Sequence, residues 1–153
     1  MSLQLTSPAF DDGGAIPEQY GYERENVNPP LRVEGVPDET KSLTLVVDDP
    51  DAEQVAGKLW NHWLVWNVDP DVSEIPEAWS PARNGAIEGK NDYGELGYGG
   101  PNPPDRPHRY RFRLWALDRE LSLVAGATQR ELDAAMDGHV LEGALLLGTY
   151  EPN

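Results

Sequence analysis

The segment from Asn91 to Asp118 constrains the fold more than any other part of the chain, because it joins an irregular loop directly to a strand. Between Gly94 and Pro107 there are four glycines and four prolines. Glycine widens the range of backbone angles, whereas proline fixes φ and removes an N–H donor, so this stretch excludes a helix and a central strand. Ordered loops of this kind often carry function.

A change of pattern at His108 marks the start of a strand. From there the residues alternate strictly, which indicates one buried face and one outward face. The buried face is predicted to carry His108, Tyr110, Phe112 and Leu114. An imidazole and a phenol therefore begin the strand on its core side, beneath a proline-rich loop, as is typical of the rim of a polar pocket.

Length and composition limit the class of protein. At 153 residues the chain is expected to form a single domain over residues 1–153 that buries roughly 70% of the surface of its unfolded chain. The lack of cysteine excludes disulfides, zinc thiolates and a thiol nucleophile. The N-terminal residues lack the features of a signal peptide, and no apolar run approaches the length of about 18 residues that spans a membrane. A cytoplasmic protein without a transmembrane segment is expected.

The charge predicts which partners are unfavourable. Twenty-seven acidic against 12 basic residues give a formal charge of −15, which repels nucleic acid and anionic membranes. A cytosol of molar salt would favour such a surface, because the Debye length there falls to about 3 Å. The sequence thus favours a halophilic protein, and an acidic surface for a protein partner is the alternative interpretation.

The remaining pattern predicts short strands and one helix. Ser42–Val47 and the aromatic stretch 59–68 are predicted to be buried strands, and Ala144–Tyr150 a late strand. Thr128 and Glu131 have the spacing of a capping box, so a helix should begin there and end at Gly138 or Gly143. Six to eight short strands with one late helix favour a mainly β fold, an antiparallel β-sandwich with Greek-key connections.

Two further polar residues fall on predicted inward faces. Asp49 continues the inward parity of the strand that ends before Pro50, and it is either a turn residue or a pocket carboxylate. His62 is expected to share a face with Trp60, Leu64 and Trp66, where it is either a hydrogen-bonded core residue or a ligand-binding one.

Burying a carboxylate and two imidazoles is costly unless they pair or meet a ligand. A metal site would need further ligands. Acid–base chemistry would need a nucleophile, and the sequence has no recognisable one. An anion pocket needs only donors, which the histidines, Tyr110 and the backbone amides of Gly99 and Gly100 could supply.

Four ordered motifs resemble the phosphatidylethanolamine-binding protein family, which includes Raf kinase inhibitor protein, and most of all its bacterial and archaeal branch. They are Asp48–Ala52 (D-D-P-D-A), Trp60–Trp63 (W-N-H-W), Gly97–Pro104 (G-Y-G-G-P-N-P-P) and His108–Tyr110 (H-R-Y). The resemblance implies a β-sandwich with a small anion-binding pocket for phosphate, acetate or phosphoethanolamine-like ligands. The pocket residues that it implies are Asp49, Trp60, His62, Gly100, Pro101, His108 and Tyr110.

The chain departs from the family pattern at four positions. Glu53 stands where proline is usual, and Tyr22 and Asn102 stand where cysteine is usual. Arg106 replaces a common glycine before His108, where it either adds a cation to the pocket or is a solvated loop residue.

The leading hypothesis is a non-enzymatic binding protein for a small phosphorylated or carboxylated ligand, with no cofactor and no metal. The first alternative is a regulatory inhibitor of a kinase or protease that docks through the pocket rim. The second is an acid–base hydrolase or lyase that uses His62 or His108 with Asp49. The sequence leaves a protein partner and a homodimer open.

Overall fold

The structure, a computed structural model, describes residues 2–152. Its strands are β1 (Gln4–Thr6), β2 (Gly14–Ala15), β3 (Leu31–Glu34), β4 (Ser42–Asp49), β5 (Trp60–Val68), β6 (Glu74–Ile75), β7 (Ile87–Glu88), β8 (His108–Leu117) and β9 (Val140–Tyr150). Its α-helices are α1 (Glu53–Ala56) and α2 (Gln129–Met136), and short 3-10 helices cover Glu18–Tyr20, Pro50–Ala52 and Ala82–Asn84.

The strands form two sheets. One has three strands in the order β1-β3-β6, and the other has six in the order β2-β9-β8-β4-β5-β7. The neighbouring strands run antiparallel, except that β2 runs parallel to β9. The mainly β fold with a late helix is confirmed, while the sandwich arrangement and the Greek-key connections stay predictions.

The six-stranded sheet is covered on both faces. On one face Leu45 and Phe112 share a core with Leu5 and Ile75 of the smaller sheet. On the other face Val46, Leu64 and Trp66 pack with Leu132 and Met136 of α2. Because β4 lies between β8 and β5 in the middle of this sheet, all of its residues are buried.

The alternation predicted for β8 is confirmed. His108, Tyr110, Phe112 and Leu114 are all buried, and the residues between them are exposed or half-buried. The strand thus delivers its imidazole and phenol to the core side, as its sequence pattern predicts.

The helix near the C-terminus begins at the predicted capping box and ends just before the first of the two predicted glycines. Thr128 and Glu131 form the capping box, and α2 ends at Met136, two residues before Gly138, whose φ is +83°. Strand β9 begins at Val140 and not at Ala144, because its first residues pair with the end of β8. This pairing extends the strand beyond what its own pattern indicates.

Two connections have local structure of their own. The stretch Gln54–Lys58, which joins β4 to β5, overlaps the single-turn helix α1. The stretch Glu120–Leu123 forms no strand, since the side-chain amide of Asn67 bonds both the N–H and the C=O of Leu121. The Asn67 side chain therefore satisfies the backbone groups that a neighbouring strand would otherwise pair.

Strand β5 is irregular at His62. Val47 pairs with Trp63, but the next residue of β4, Asp48, pairs with Asn61, so β5 advances two residues for one in β4. A β-bulge of this kind re-aims the extra side chain. The prediction that His62 shares a face with Leu64 and Trp66 was therefore wrong: those two residues pack in the α2 cluster, whereas the His62 ring lies 5.2 Å from the Tyr110 ring.

Among residues 2–152, no helix is long and apolar enough to cross a membrane.

Candidate functional site

A cavity of about 190 Å³ lies where the central strands β4, β5 and β8 meet. Since β4 runs antiparallel to both neighbours, its C-terminal end lies beside the N-terminal ends of β5 and β8. The lining residues come from these ends, from the 3-10 helix Pro50–Ala52 and α1, and from the proline-rich loop and Tyr93 just before it. They are Asp49, Ala52, Val55, Ala56, Trp60, His62, Tyr93, Asn102, Pro103, Pro104, His108 and Tyr110.

Five of the seven predicted site residues, Asp49, Trp60, His62, His108 and Tyr110, line this cavity, and Gly100 and Pro101 do not. Topology alone brings these five together, since they come from three different strands.

The Gly-Pro loop has a different role from the predicted one. The Gly99 N–H donates to the His62 carbonyl at 2.8 Å, and the Gly100 N–H donates to Asn26 Oδ1 at 2.7 Å. Neither amide is an available anion donor, contrary to expectation. A Cβ atom on Gly100 would lie 2.1 Å from the Tyr20 carbonyl oxygen, so glycine is needed here for close backbone approach.

His108 is held by a carboxylate at each ring nitrogen. Nδ1 lies 2.6 Å from Asp49 Oδ2, and Nε2 lies 2.9 Å from Asp105 Oδ1. An ionised carboxylate only accepts hydrogen bonds, so both ring nitrogens donate and the ring carries a positive charge. Opposed carboxylates thus hold a buried imidazolium ring.

Asp49 fulfils both of the roles left open by its sequence position. Its Oδ1 accepts from the Asp51 N–H at 2.9 Å, which caps the 3-10 helix after β4, and its Oδ2 accepts from His108. Both carboxylate oxygens are engaged in a side chain that is almost fully buried. Asp49 is therefore fixed by the fold and is not free to move toward a ligand.

Asp51 ties this turn to the start of β8. Its Oδ2 accepts from the Arg109 N–H at 2.8 Å. Burial raises the pKa of Asp51, but the hydrogen bonds and charge of Arg109 outweigh it, so the pKa lies below its usual value. The carboxylate stays ionised and keeps the two strand ends together.

His62 is a neutral donor in this structure. Its Nδ1 lies 2.7 Å from the Gly99 carbonyl oxygen, which can only accept, so Nδ1 carries the proton. Complete burial lowers the pKa of His62 below 6.5, although hydrogen bonding to Gly99 and the Asp49 charge oppose the shift. The other ring nitrogen, Nε2, is then an acceptor.

Two phenols complete the polar part of the wall. Burial raises the pKa of Tyr110, and the nearby Asp49 charge raises it further; burial likewise raises the pKa of Tyr93. Both hydroxyls therefore remain protonated, and that of Tyr93 donates to the Gly100 carbonyl at 2.8 Å. The Tyr93 ring stacks on Tyr22, with ring centroids 3.8 Å apart, so the tyrosine found where the family usually has cysteine supports the cavity wall.

Arg106 does not line the cavity. Its guanidinium is partly exposed, donates to Gln54 Oε1 at 3.1 Å, and lies 3.7 to 4.0 Å from the carboxylates of Asp105 and Asp51. The solvated alternative from the sequence is the better description. Within residues 2–152, the cavity lining includes no arginine or lysine, and His108 is its cation.

Sequence reasoning missed Tyr93 and Asp105. Tyr93 lies in the irregular stretch before the Gly-Pro segment, and no pattern indicates where its ring points. Asp105 is three residues before His108, a spacing that could have indicated the contact if the loop conformation had been known.

The sequence also did not reveal a buried ion cluster on the opposite face of the sheet. Asp48, which is 0% exposed, accepts hydrogen bonds from Arg111 and Arg113 of β8. The Arg113 guanidinium in turn lies 4.9 Å from the Trp115 ring centroid. Asp48 and Asp49 are adjacent, yet one holds a structural ion cluster and the other a histidine in the cavity.

Fold and site together define a class of β proteins in which a small, partly aromatic cavity opens at the ends of the central strands. Within that class the comparison is specific: the family model described as "Phosphatidylethanolamine-binding protein" matches residues 6–151. The chain belongs to this family.

Relatives support the same assignment. A UPF0098 protein from Methanothermobacter thermautotrophicus is 46% identical over 97% of this chain and 98% of its own length. A crystal structure of a putative phosphatidylethanolamine-binding protein homolog from Chlamydia trachomatis superimposes with a TM-score of 0.93 at 45% identity, covering 99% of each chain. Escherichia coli YbcL, described as a member of the mammalian family, gives a TM-score of 0.90 at 30% identity, covering 100% of each chain.

Proposed function

We propose that this protein is a non-enzymatic binding protein for a small anion, whose phosphate or carboxylate group accepts a hydrogen bond from His108. One observation carries the proposal. His108 is buried in the cavity wall with a carboxylate at each ring nitrogen, and at Nε2 that carboxylate belongs to a loop residue, Asp105. A charged donor that holds one oxyanion in this geometry can hold another.

The rest of the cavity supports binding of a compact ligand. Trp60, Tyr93, Val55 and the loop prolines give apolar walls, and the volume of about 190 Å³ suits a group the size of phosphoethanolamine. The protonated hydroxyl of Tyr110, also in the cavity wall, interacts with Asp49 and so helps to fix that carboxylate. Asp49 and the acceptor nitrogen of His62 would favour a ligand that also carries an amine or hydroxyl group.

Covalent catalysis has less support from the site. Among the described residues, the cavity lining includes no serine, threonine or lysine side chain that could serve as a nucleophile. The described residues also contain no group of three or more His, Asp or Glu side chains placed to hold a metal ion.

Calorimetric titration tests the proposal. Phosphate, acetate and phosphoethanolamine are each titrated into the wild type and into His108→Ala. Every titration uses the same buffer with molar KCl. His139→Ala is the matched control, because His139 also pairs with an aspartate, Asp118, at 2.9 Å but does not line the cavity. We expect binding to the wild type and to His139→Ala, and none to His108→Ala.

Circular dichroism of each variant shows whether it is folded, and His108→Gln replaces His108→Ala if the latter is not. If the folded wild type binds none of the three anions, or if the His108 variants bind as well as the wild type, the proposal is refuted. Vesicles of phosphatidylethanolamine in a further titration distinguish a free head group from a whole lipid. A salt-rich cytoplasm and a protein partner stay predictions from the charge and the family.

A further inference from the structure

The two carboxylates that hold His108 are not equivalent. The Asp49 side chain is 3% exposed, whereas the Asp105 side chain is 38% exposed. Asp49 ends a central strand and caps the following turn, whereas Asp105 lies in the loop between Pro104 and Pro107. One partner is part of the core and the other is a loop side chain that reaches back onto the ring.

No N–H of His108 is free for a ligand in this arrangement. Nδ1 donates to Asp49 and Nε2 donates to Asp105, and an imidazolium ring has no third donor. An external anion that is to accept from His108 must therefore replace one of these carboxylates.

We propose that Asp105 is a built-in competitor for the anion site: its carboxylate occupies Nε2 of His108 while the cavity is empty, and a ligand phosphate or carboxylate must displace it. This inference rests on the proposed function and adds the regulation of the same site.

Asp105 is the partner that can leave. Once released, its carboxylate can be solvated, since the side chain already reaches water, and Arg106 offers a nearby cation at 3.7 Å. Release of Asp49 would leave its Oδ2 buried without its hydrogen-bond donor, because the Asp51 N–H satisfies only Oδ1, and an unpaired buried carboxylate oxygen is strongly unfavourable. The exchange therefore takes place at Nε2.

The charge of the site requires an exchange. With Asp105 in place, His108 faces two carboxylates, and a third anion would meet net negative charge and no donor. Burial raises the pKa of Asp105, but hydrogen bonds from His108 and backbone amides lower it by more, so Asp105 is ionised. When a ligand anion replaces Asp105, the number of anions that His108 contacts stays the same.

A tethered group competes at an effective concentration of millimolar or above. The apparent affinity of the site is its intrinsic affinity multiplied by the fraction of molecules in which Nε2 is free. If Asp105 occupies Nε2 in about nine molecules of ten, the apparent affinity is therefore lowered roughly tenfold. The tether would keep abundant anions out and admit ligands that make further contacts with the cavity wall.

The test compares Asp105→Asn and Asp105→Ala with the wild type. Asp105→Asn keeps the side-chain shape and removes the charge, and Asp105→Ala removes the competitor. Glu53→Gln is the control for one unit of charge, because Glu53 is an exposed residue that begins α1, the helix whose Val55 and Ala56 line the cavity. Phosphate and acetate are titrated calorimetrically into each protein in the same buffer, which contains KCl at about 1 M.

We expect anion affinity to rise roughly tenfold in Asp105→Ala, by less in Asp105→Asn, and not in Glu53→Gln. In the wild type, NMR should show the Asp105 and Arg106 amide signals shifting when phosphate binds, as the loop releases His108.

Three outcomes overturn the inference. Equal affinity in the wild type and both Asp105 variants would show that Asp105 does not compete, while the proposed function would stand. Weaker binding in Asp105→Ala than in the wild type would make Asp105 a positioning residue for His108. If the folded wild type and both variants all bind nothing, the anion site itself is refuted, and the competitor with it.

Discussion

Loss of the Asp48 carboxylate should destabilise the protein more than loss of a surface carboxylate. In Asp48→Asn the guanidinium groups of Arg111 and Arg113 lose their shared anion, although an amide oxygen remains as an acceptor. Removing one partner of a buried ion pair costs about 3–5 kcal/mol. The arginine side chains are 31% and 24% exposed, so water partly replaces the carboxylate and the lower end, about 3 kcal/mol, is expected.

Denaturant unfolding followed by circular dichroism, in molar KCl, measures this loss. For a chain of this length about 3 kcal/mol corresponds to a fall in Tm of roughly 6–12 °C. The control is Asp118→Asn, whose carboxylate is 46% exposed and pairs with His139, so a cost of about 1 kcal/mol or less is expected. Because salt screens buried pairs weakly, the Asp48 effect should persist across the KCl range, whereas the Asp118 effect should not.

The reasoning would be refuted if Asp48→Asn cost no more than Asp118→Asn, or if the cost disappeared at high salt. The triple variant Asp48→Leu, Arg111→Met, Arg113→Met should recover part of the loss, since apolar replacement of a whole buried ion cluster is often neutral or stabilising. A triple variant less stable than Asp48→Asn would show that the cluster, and not the orphaned charge, supplies the stability.

Three further predictions concern pH, backbone space and salt. Burial holds the pKa of His62 in the folded protein below 6.5, so the unfolded chain takes up a proton first as the pH falls. The stability that His62 contributes is therefore complete above about pH 6.5 and is lost as the pH drops below it. His62→Gln should show a shallower fall in unfolding free energy with decreasing pH, and an equal slope in both proteins would contradict this. Gly100→Ala should lower stability and anion affinity more than Gly94→Ala. The Cβ at position 100 would meet the Tyr20 carbonyl oxygen at 2.1 Å, whereas at Gly94 nothing lies within 4 Å and the only cost is the strain of a φ of +84°. Equal thermal shifts in the two variants would refute this prediction. With a formal charge of −15, cooperative thermal unfolding should be lost on dialysis from molar to millimolar KCl, and an unchanged Tm would count against salt adaptation.

The parts of the site that lie on single strands were predictable. The alternation after His108 predicts which side chains of β8 enter the core, and the parity of β4 correctly places Asp49 on the inward face. The capping box at Thr128 and Glu131 likewise fixes the start of α2. Each of these features is set by neighbours within a few residues, so the sequence contains all the information they need.

The contacts between strands and loops were not predictable in the same way. The bulge that turns His62 toward Tyr110 depends on how β5 registers against β4. The contact between Asp105 and His108 depends on how the proline-rich loop returns to the strand.

The sequence alone therefore determined the main strands, the inward face of β8 and the identity of five cavity residues. Tertiary structure decided the rest: that the amides of Gly99 and Gly100 are consumed within the fold, that Asp48 meets two arginines, and that His108 lies between two carboxylates. The reason is physical. Periodicity along one strand fixes the direction of each side chain, but which partner satisfies a buried polar group depends on register and loop closure among segments distant in sequence.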